Sequence, residues 1–511
     1  MHPEVHLSPH RTRTPRFGGP ALGSTPLLVV LRTALLCGIF AASTAVSSLA
    51  SSGATASDAS EVSWPAFRGA DAVPVSDNPN LPLRWSKTEN VEWKAEVPGM
   101  GWSSPIVVGG KVYLTSATSE TAMKPPQIGT EYSNEYIAEL MGQGLSQEEA
   151  VAKLEERDME FPDEIELRYW LFAYDLETGR EVFRRSFYEG RPPGGRHRKN
   201  SYTSETPVSD GSSIYVYVGN LGLWAFTLDG EPRWHTELES YPIYLDFGTG
   251  GSPALVDDKV IVLNDNQENQ FIAAFSKQDG KELWRTKRDL TPPDQPTRRS
   301  GWTTPFVWKT EQRTEIVAQG PYVVISYDTQ GRELWRMSKH SLLPAPSPFA
   351  YDGRLYVVSG VHGDSHRPIA AILPGAKGDL TLDDGETKSD SVQWLDPRAG
   401  TYIPTPVAYQ GSLWVVYDKG IFARYDAKTG EMLYRSRIDG SAGAFTASPW
   451  AYRDRIFAID EDGTTFVFGT GDEFEQLASN PLEEMVLATP AMAGDRLLIR
   501  TRGHLYSIRQ Q

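Results

Sequence analysis

An all-β ring, an eight-bladed β-propeller, is the fold this 511-residue sequence predicts, and three observations predict it. One hairpin phrase is written five times. A second phrase, a small or hydroxyl residue followed by proline at the start of a strand, is written eight times. The chain also ends one strand short of a full last unit, while an orphan strand stands ahead of the first.

The hairpin phrase is clearest in "AFSKQDGKELWR" (Ala274–Arg285). It returns as "SYDTQGRELWR" (Ser326–Arg336), "AYDLETGREVFR" (Ala173–Arg184), "RYDAKTGEMLYR" (Arg424–Arg435) and "AFTLDGEPRW" (Ala225–Trp234). In every copy a glycine precedes an aromatic by four residues: Gly179/Phe183, Gly230/Trp234, Gly280/Trp284, Gly331/Trp335 and Gly430/Tyr434. Asp and Thr ahead of the glycine favour tight turns, and glycine supplies the positive φ. Val182, Leu283, Leu334 and Leu433 add an apolar residue beside the aromatic. Consecutive strand residues point to opposite faces, so both faces of this strand are expected to be covered.

The second phrase starts at Ser104-Pro105, Thr206-Pro207, Ser252-Pro253, Thr304-Pro305, Ser347-Pro348, Thr405-Pro406, Ser448-Pro449 and Thr489-Pro490. Proline is tolerated at a strand's first residue because its missing N–H falls outside the ladder. The starts lie 41 to 58 residues apart, except for a 102-residue gap after Pro105. Four strands per unit at such a period mark a propeller, with the hairpin joining a blade's third and fourth strands and its aromatic wedging between blades. The hairpin is degenerate after Pro449, where Phe474 replaces the usual Trp, and is rebuilt after Pro348 around "VQWLDPRAGTYIP".

The last unit, from Pro490, holds three strands, and "NVEWKAEVPG" (Asn90–Gly99) is expected to supply the fourth and remove the open edge. The propeller is assigned to residues 85–511, behind an N-terminal linker segment, 57–84. The long gap holds an insertion at about 119–169. There "LSQEEAVAKLEERD" opens with Ser146 and Glu149 in capping-box spacing, and "NEYIAELMGQG" reads as a second short helix. A helical flap beside the first blade is expected.

Residues 1–56 read as an export signal: Arg11, Arg13, Arg16 and Arg32, then the short apolar run Thr33–Val46, then Ala54-Thr55-Ala56 as a small-x-small cleavage site. An uncleaved anchor is the alternative. With the signal removed, the chain has no transmembrane segment. The single cysteine, Cys37, lies in the apolar run, so the remaining chain must be stable without a disulfide, which demands a large core. Residues 1–56 carry four Arg and one Glu, which leaves 46 basic and 65 acidic side chains and a net charge of −19 beyond them. That sign repels nucleic acid and anionic headgroups.

The hairpins resemble the pyrroloquinoline-quinone (PQQ) repeat family of propellers, which includes quinoprotein alcohol dehydrogenases and BamB-like exported proteins. "WPAFRG" (Trp64–Gly69), "HRKNSYTSETPV" (His197–Val208), "RTEIVAQG" (Arg313–Gly320) and "FTASPWAY" (Phe445–Tyr452) resemble an exported bacterial subgroup. The dehydrogenase branch implies PQQ over the ring axis, a calcium ion held by Glu, Asn and Asp, and a further Asp as base; many members add a vicinal disulfide, and some a haem domain. Both cysteine-dependent features are absent from residues 57–511.

Candidate sites are few. Asn264, Asp265 and Asn266 offer oxygen ligands but match no calcium loop and are read as turns. His362 and His366 stand four apart on a loop, where helical metal spacing does not apply. "DFGTGGSP" precedes a strand, unlike a phosphate cradle, and no nucleophile elbow is present. Arg196, His197, Arg198 and Lys199 are the one basic cluster; they form a candidate binding site at the channel mouth, the alternative being a solvated loop that pairs with nearby carboxylates. The reading is a non-catalytic, exported scaffold of the periplasm or cell envelope, or secreted beyond it, with a protein partner, no nucleic acid and no cofactor. A dehydrogenase using PQQ and calcium, or a propeller binding a carbohydrate or other small ligand, is the alternative.

Overall fold

Each Ser/Thr-Pro phrase opens the innermost strand of an antiparallel sheet, and there are eight such sheets. The computed structural model describes residues 63–510 apart from 128–131, 159–164, 362–363 and 442–443. The expected export signal and His362 lie outside the described residues. Blades 1 to 8 are numbered here by their prolines. Blade 3 shows the plan: strands Ala254–Val256, Lys259–Asn264, Phe271–Ser276 and Glu282–Lys287 pair in sequence order. The two middle strands are buried on both faces, so the hydrophobic clusters lie between neighbouring sheets.

The hairpin phrase has a packing reason. Its aromatic lies against the hairpin glycine of the next blade, where a Cβ would collide. At Gly280 (φ 73°) that atom would stand 2.5 Å from the Trp234 ring, and at Gly331 the same distance from Trp284. The indole N–H then donates to a carbonyl of the neighbouring hairpin: Trp234 to Lys277 (3.0 Å), Trp284 to Thr329 (3.1 Å), Trp394 to Ala427 (3.0 Å). Glycine and aromatic are thus two halves of one contact, made by different blades.

Two expectations about the rim need correction. Val182, Leu283 and Leu433 are 48%, 46% and 43% exposed, so on blades 1, 3 and 6 the outer strand is covered on one face only, whereas Leu334 of blade 4 is half-buried against its core cluster. Neighbouring sheets diverge away from the axis, and strand twist turns the other face to water. Phe474 does not wedge forward as Trp does elsewhere; it packs back against Phe422 and Tyr434 of blade 6. The space between blades 7 and 8 is filled instead by Leu81 and Trp85, with Trp85 stacked on Phe457 at 6.1 Å.

The ring closes as expected. Val91–Glu96 pairs antiparallel with His504–Arg509 and completes blade 8. Glu92 binds the junction from the side, accepting bonds from Arg496 (2.7 Å), Arg509 (2.8 Å) and Ser507 (3.0 Å).

The segment ahead of that strand crosses the ring. Trp64 exchanges backbone bonds with Val107 of blade 1, and Pro65 accepts from Ser209 of blade 2. Arg68 donates to the Pro406 carbonyl of blade 6 (2.7 Å), and Val75–Ser76 pairs in parallel with blade 7. These contacts fall one to four residues after the Ser/Thr positions, so the segment covers the face opposite the loops that lead into the inner strands.

The insertion leaves blade 1 after Thr118 and returns at Leu167. It carries α1 (Tyr132–Gly142) and α2 (Gln147–Asp158). The capping box forms: Ser146 N donates to Glu149 Oε2 (2.8 Å) and Glu149 N to Ser146 Oγ (3.3 Å). No helix among the described residues is long and apolar enough to cross a membrane.

Candidate binding site at the channel mouth

Seven blade junctions are joined at the axis by one repeated bond. The backbone N–H of the Ser or Thr before each proline donates to the hydroxyl oxygen of its counterpart in the next blade. Ser104 N reaches Thr206 Oγ1 at 2.9 Å, and Thr206 N reaches Ser252 Oγ at 2.9 Å. The series continues through Thr304, Ser347, Thr405, Ser448 and Thr489 at 2.9–3.1 Å. These oxygens all line one cavity of about 370 Å³, a size in the range of small-molecule sites.

The loops that lead into the inner strands supply the next ring of the wall. The positions two before each hydroxyl are Trp102, Ser204, Gly250, Trp302, Ala345, Ile403, Thr446 and Leu487, and all eight line the cavity. Phe67, from the crossing segment, lines it as well. Trp102 and Trp302 are fixed by their indole N–H groups, which donate to the Lys199 carbonyl (2.8 Å) and the Gly248 carbonyl (2.7 Å). Trp302, Phe247 and His197 form a continuous aromatic wall.

The basic cluster divides. His197, Arg198 and Lys199 line the cavity; Arg196 does not and is wholly buried behind it. The alternative is corrected in its solvation, since Arg198 is 5% and Lys199 8% exposed, while the pairing with a carboxylate that it expected is made. Lys199 Nζ pairs with Glu461 of blade 7 at 2.7 Å, and Glu461 also accepts from Thr446 (2.7 Å). Burial, then the charges of Arg198, Lys199 and Arg196, hold the His197 pKa down at about 3, so its ring is neutral at physiological pH. The Arg196 guanidinium donates to the carbonyls of Asn200 and Lys124, and Gln127 N donates to the Arg198 carbonyl. The base of the insertion is therefore tied to the mouth.

Other candidates are otherwise engaged. Asp265 forms a buried pair with Arg288 at 2.8 Å, and Asn266 closes its own turn through Glu268 N and Asn269 N. His366 bonds the Lys339 carbonyl at 2.7 Å. Gly248 of the glycine-rich stretch is the Trp302 acceptor. The positions two before each hydroxyl share no residue type, so no motif marks them in the sequence, although counting back from the eight prolines finds all of them.

Residues 268–387 match the family model of the outer membrane protein assembly factor BamB. The stretch runs from blade 3 into blade 5. A comparison with curated proteins returns no match. Among solved structures the chain is similar to the quinohemoprotein alcohol dehydrogenase from Comamonas testosteroni: 11% identity, 89% of this chain and 81% of that one, TM-score 0.54. It is also similar to quinohemoprotein alcohol dehydrogenase ADHIIG from Pseudomonas putida HK5: 12% identity, 87% and 80%, TM-score 0.51. BamB from Moraxella catarrhalis matches at 13% identity over 66% of this chain and 91% of that one, TM-score 0.46. At these identities the two dehydrogenase structures speak for the fold alone, and the chemistry must be argued from the site.

Proposed function

We propose that the protein is a non-catalytic, exported propeller of the cell envelope that holds a protein partner on the face carrying the channel mouth and the helical insertion. The supporting observation is the tie between the two, Arg196 to Lys124 and Arg198 to Gln127, which makes one built surface of them. Binding surfaces are expected on loops and insertions because the blade strands are spent on packing. Glu148 and Glu149 in the first turn of α2, with Glu139 and Glu156, favour a partner with basic groups and a salt-sensitive contact.

The dehydrogenase reading has less support from the residues present. Calcium takes six to eight oxygen ligands. Among the described residues no group of three or more His, Cys, Asp or Glu side chains stands together to hold a metal ion. No Asp or Glu is among the described residues that line the cavity, and Glu461 beside it is held by Lys199 and Thr446, which supports the scaffold reading over a calcium site.

The test is photo-crosslinking from Met141, which is 46% exposed on α1, in the native envelope. A discrete protein adduct is expected, weakened by salt, and a pull-down of the same partner by the exported chain is expected to be lost when residues 121–166 are replaced by a short glycine linker. The purified protein is expected to reduce no dye with PQQ, calcium and an alcohol. Calcium- and PQQ-dependent turnover overturns the scaffold reading. An unchanged partner after the deletion moves the site to the loop around His197.

A further inference from the structure

The axial cavity has chemistry that a protein partner does not use. We propose that it is a binding site for a neutral polyhydroxylated ligand, a free disaccharide or the end of a glycan chain. Three observations carry this. The hydroxyl oxygens of Thr206, Ser252, Thr304, Ser347, Thr405, Ser448 and Thr489 each accept a backbone N–H. None of the seven hydroxyls donates to an acceptor among the described residues, so a ring of O–H donors faces one space. A ligand rich in oxygen acceptors satisfies them.

The second observation is the aromatic wall. Trp102 and Trp302 stand three blades apart in the upper ring, each locked by an indole hydrogen bond that fixes the orientation of its ring. The small residues Ser204, Gly250 and Ala345 leave the space beside Trp302 open. Rigid aromatic surface beside hydrogen-bonding groups suits a ring with an apolar face and a polar edge.

The third is charge. Lys199 is neutralised by Glu461, and Arg367 meets Asp418 at 3.0 Å. His197 has its ring against Phe247 at 4.7 Å. Around Tyr402 the carboxylates of Asp418 and Glu461 offset Arg198 and Arg367. Paired charges leave little attraction for an anion, and a buried pair is costly to break. Phe67, from the segment that crosses the opposite face, also lines the cavity.

The test titrates the purified protein with chitobiose, cellobiose and maltose, reading tryptophan fluorescence and heat. Saturable binding of at least one is expected, unchanged between low and high salt and not competed by citrate. Trp302→Ala is expected to lower affinity about tenfold or more, the loss typical of an anchoring aromatic. Ala345→Trp, which fills the cavity from a small position, is expected to abolish binding with the melting temperature kept. Co-sedimentation with insoluble peptidoglycan separates a chain end from a free sugar: co-sedimentation lost in Ala345→Trp assigns the polymer, and its absence with disaccharide binding kept assigns the free sugar. No saturable binding of any of the three, binding weakened by salt or citrate, or full binding by Ala345→Trp overturns the proposal. Failure here leaves the crosslinking from Met141 untouched, so the two readings fall separately.

Discussion

The axis and the rim of this ring are built by different rules. At the axis all eight blades carry Ser or Thr before proline, and seven junctions show the same hydrogen bond. At the rim the glycine–aromatic contact is made by only some junctions. Trp335 instead donates to Glu315 of its own blade at 2.7 Å and is covered by Leu380 and Leu382, and the gap between blades 7 and 8 takes Leu81 and Trp85. Near the axis the sheets stand at one short spacing, and one short side chain satisfies it. Farther out they diverge, and wider gaps admit different solutions. Repetition in sequence therefore measures how tightly geometry constrains a position.

Removing the improvised parts should do the greatest damage. Deleting residues 57–99 takes away the fourth strand of blade 8, the cavity-lining Phe67 and the Trp85 filler together. It also exposes a sheet edge. Aggregation, or loss of the cooperative melting transition, is the expected result; an unchanged melting temperature would show that the closing strand contributes little.

A pair of tryptophans measures the rim directly. Trp335 is 0% exposed, whereas Trp284 is only partly buried. Trp335→Ala should cost about 3–5 kcal/mol by denaturant unfolding. Trp284→Ala should cost less, about 1–3 kcal/mol, because part of its ring already meets water. Equal costs would mean that outer strands are packed alike on every blade, against the observed burial.

Much of this was legible from residues, for a physical reason. A repeat announces itself because equivalent contacts need equivalent side chains, so the blades, the closing strand and the Ser146/Glu149 capping box could all be read. Exposure could not. Leu283 and the buried middle-strand residues are the same chemical type, and only the divergence of the sheets separates them. The basic cluster could be read as pairing with carboxylates, but neither its burial nor the carboxylate it meets could be, since Glu461 lies 262 residues from Lys199 in sequence. Charge is visible in a sequence, whereas a partner brought by the fold is not.

The axis can be broken at one link. Thr304→Val keeps the shape of the side chain but removes the acceptor of the Ser252 N–H, which is buried. An unsatisfied buried donor costs about 1–3 kcal/mol. A loss in that range by thermal unfolding, with Thr304→Ser close to the parent, would show that the oxygen is what matters.

The closure junction adds a pH signature. Burial raises the Glu92 pKa, but the bonds from Arg496 and Arg509 outweigh it and leave the carboxyl below its ordinary 4.5. A lowered folded pKa gives stability that is present above the unfolded value and lost as the pH falls through the folded one. Glu92→Gln should therefore lower the melting temperature at neutral pH, with a gap from the parent that narrows below about pH 4.5, the unfolded carboxyl value. A constant gap across that range would deny the carboxylate its role.

The smallest effect belongs to the rim's exposed leucines. Leu283 stands on the outer strand of blade 3 beside Trp284, one facing water and the other the next blade. Leu283→Thr keeps strand propensity and removes apolar surface that is already 46% exposed. Its unfolding free energy should stay within about 0.5 kcal/mol of the parent, as surface substitutions do. A loss approaching that of Trp284→Ala would mean that the face is covered in solution, and that something other than this chain's own neighbouring blade covers it. Because Val182 and Leu433 occupy the same step on blades 1 and 6, the same substitution at each would separate a local contact from a general property of the rim.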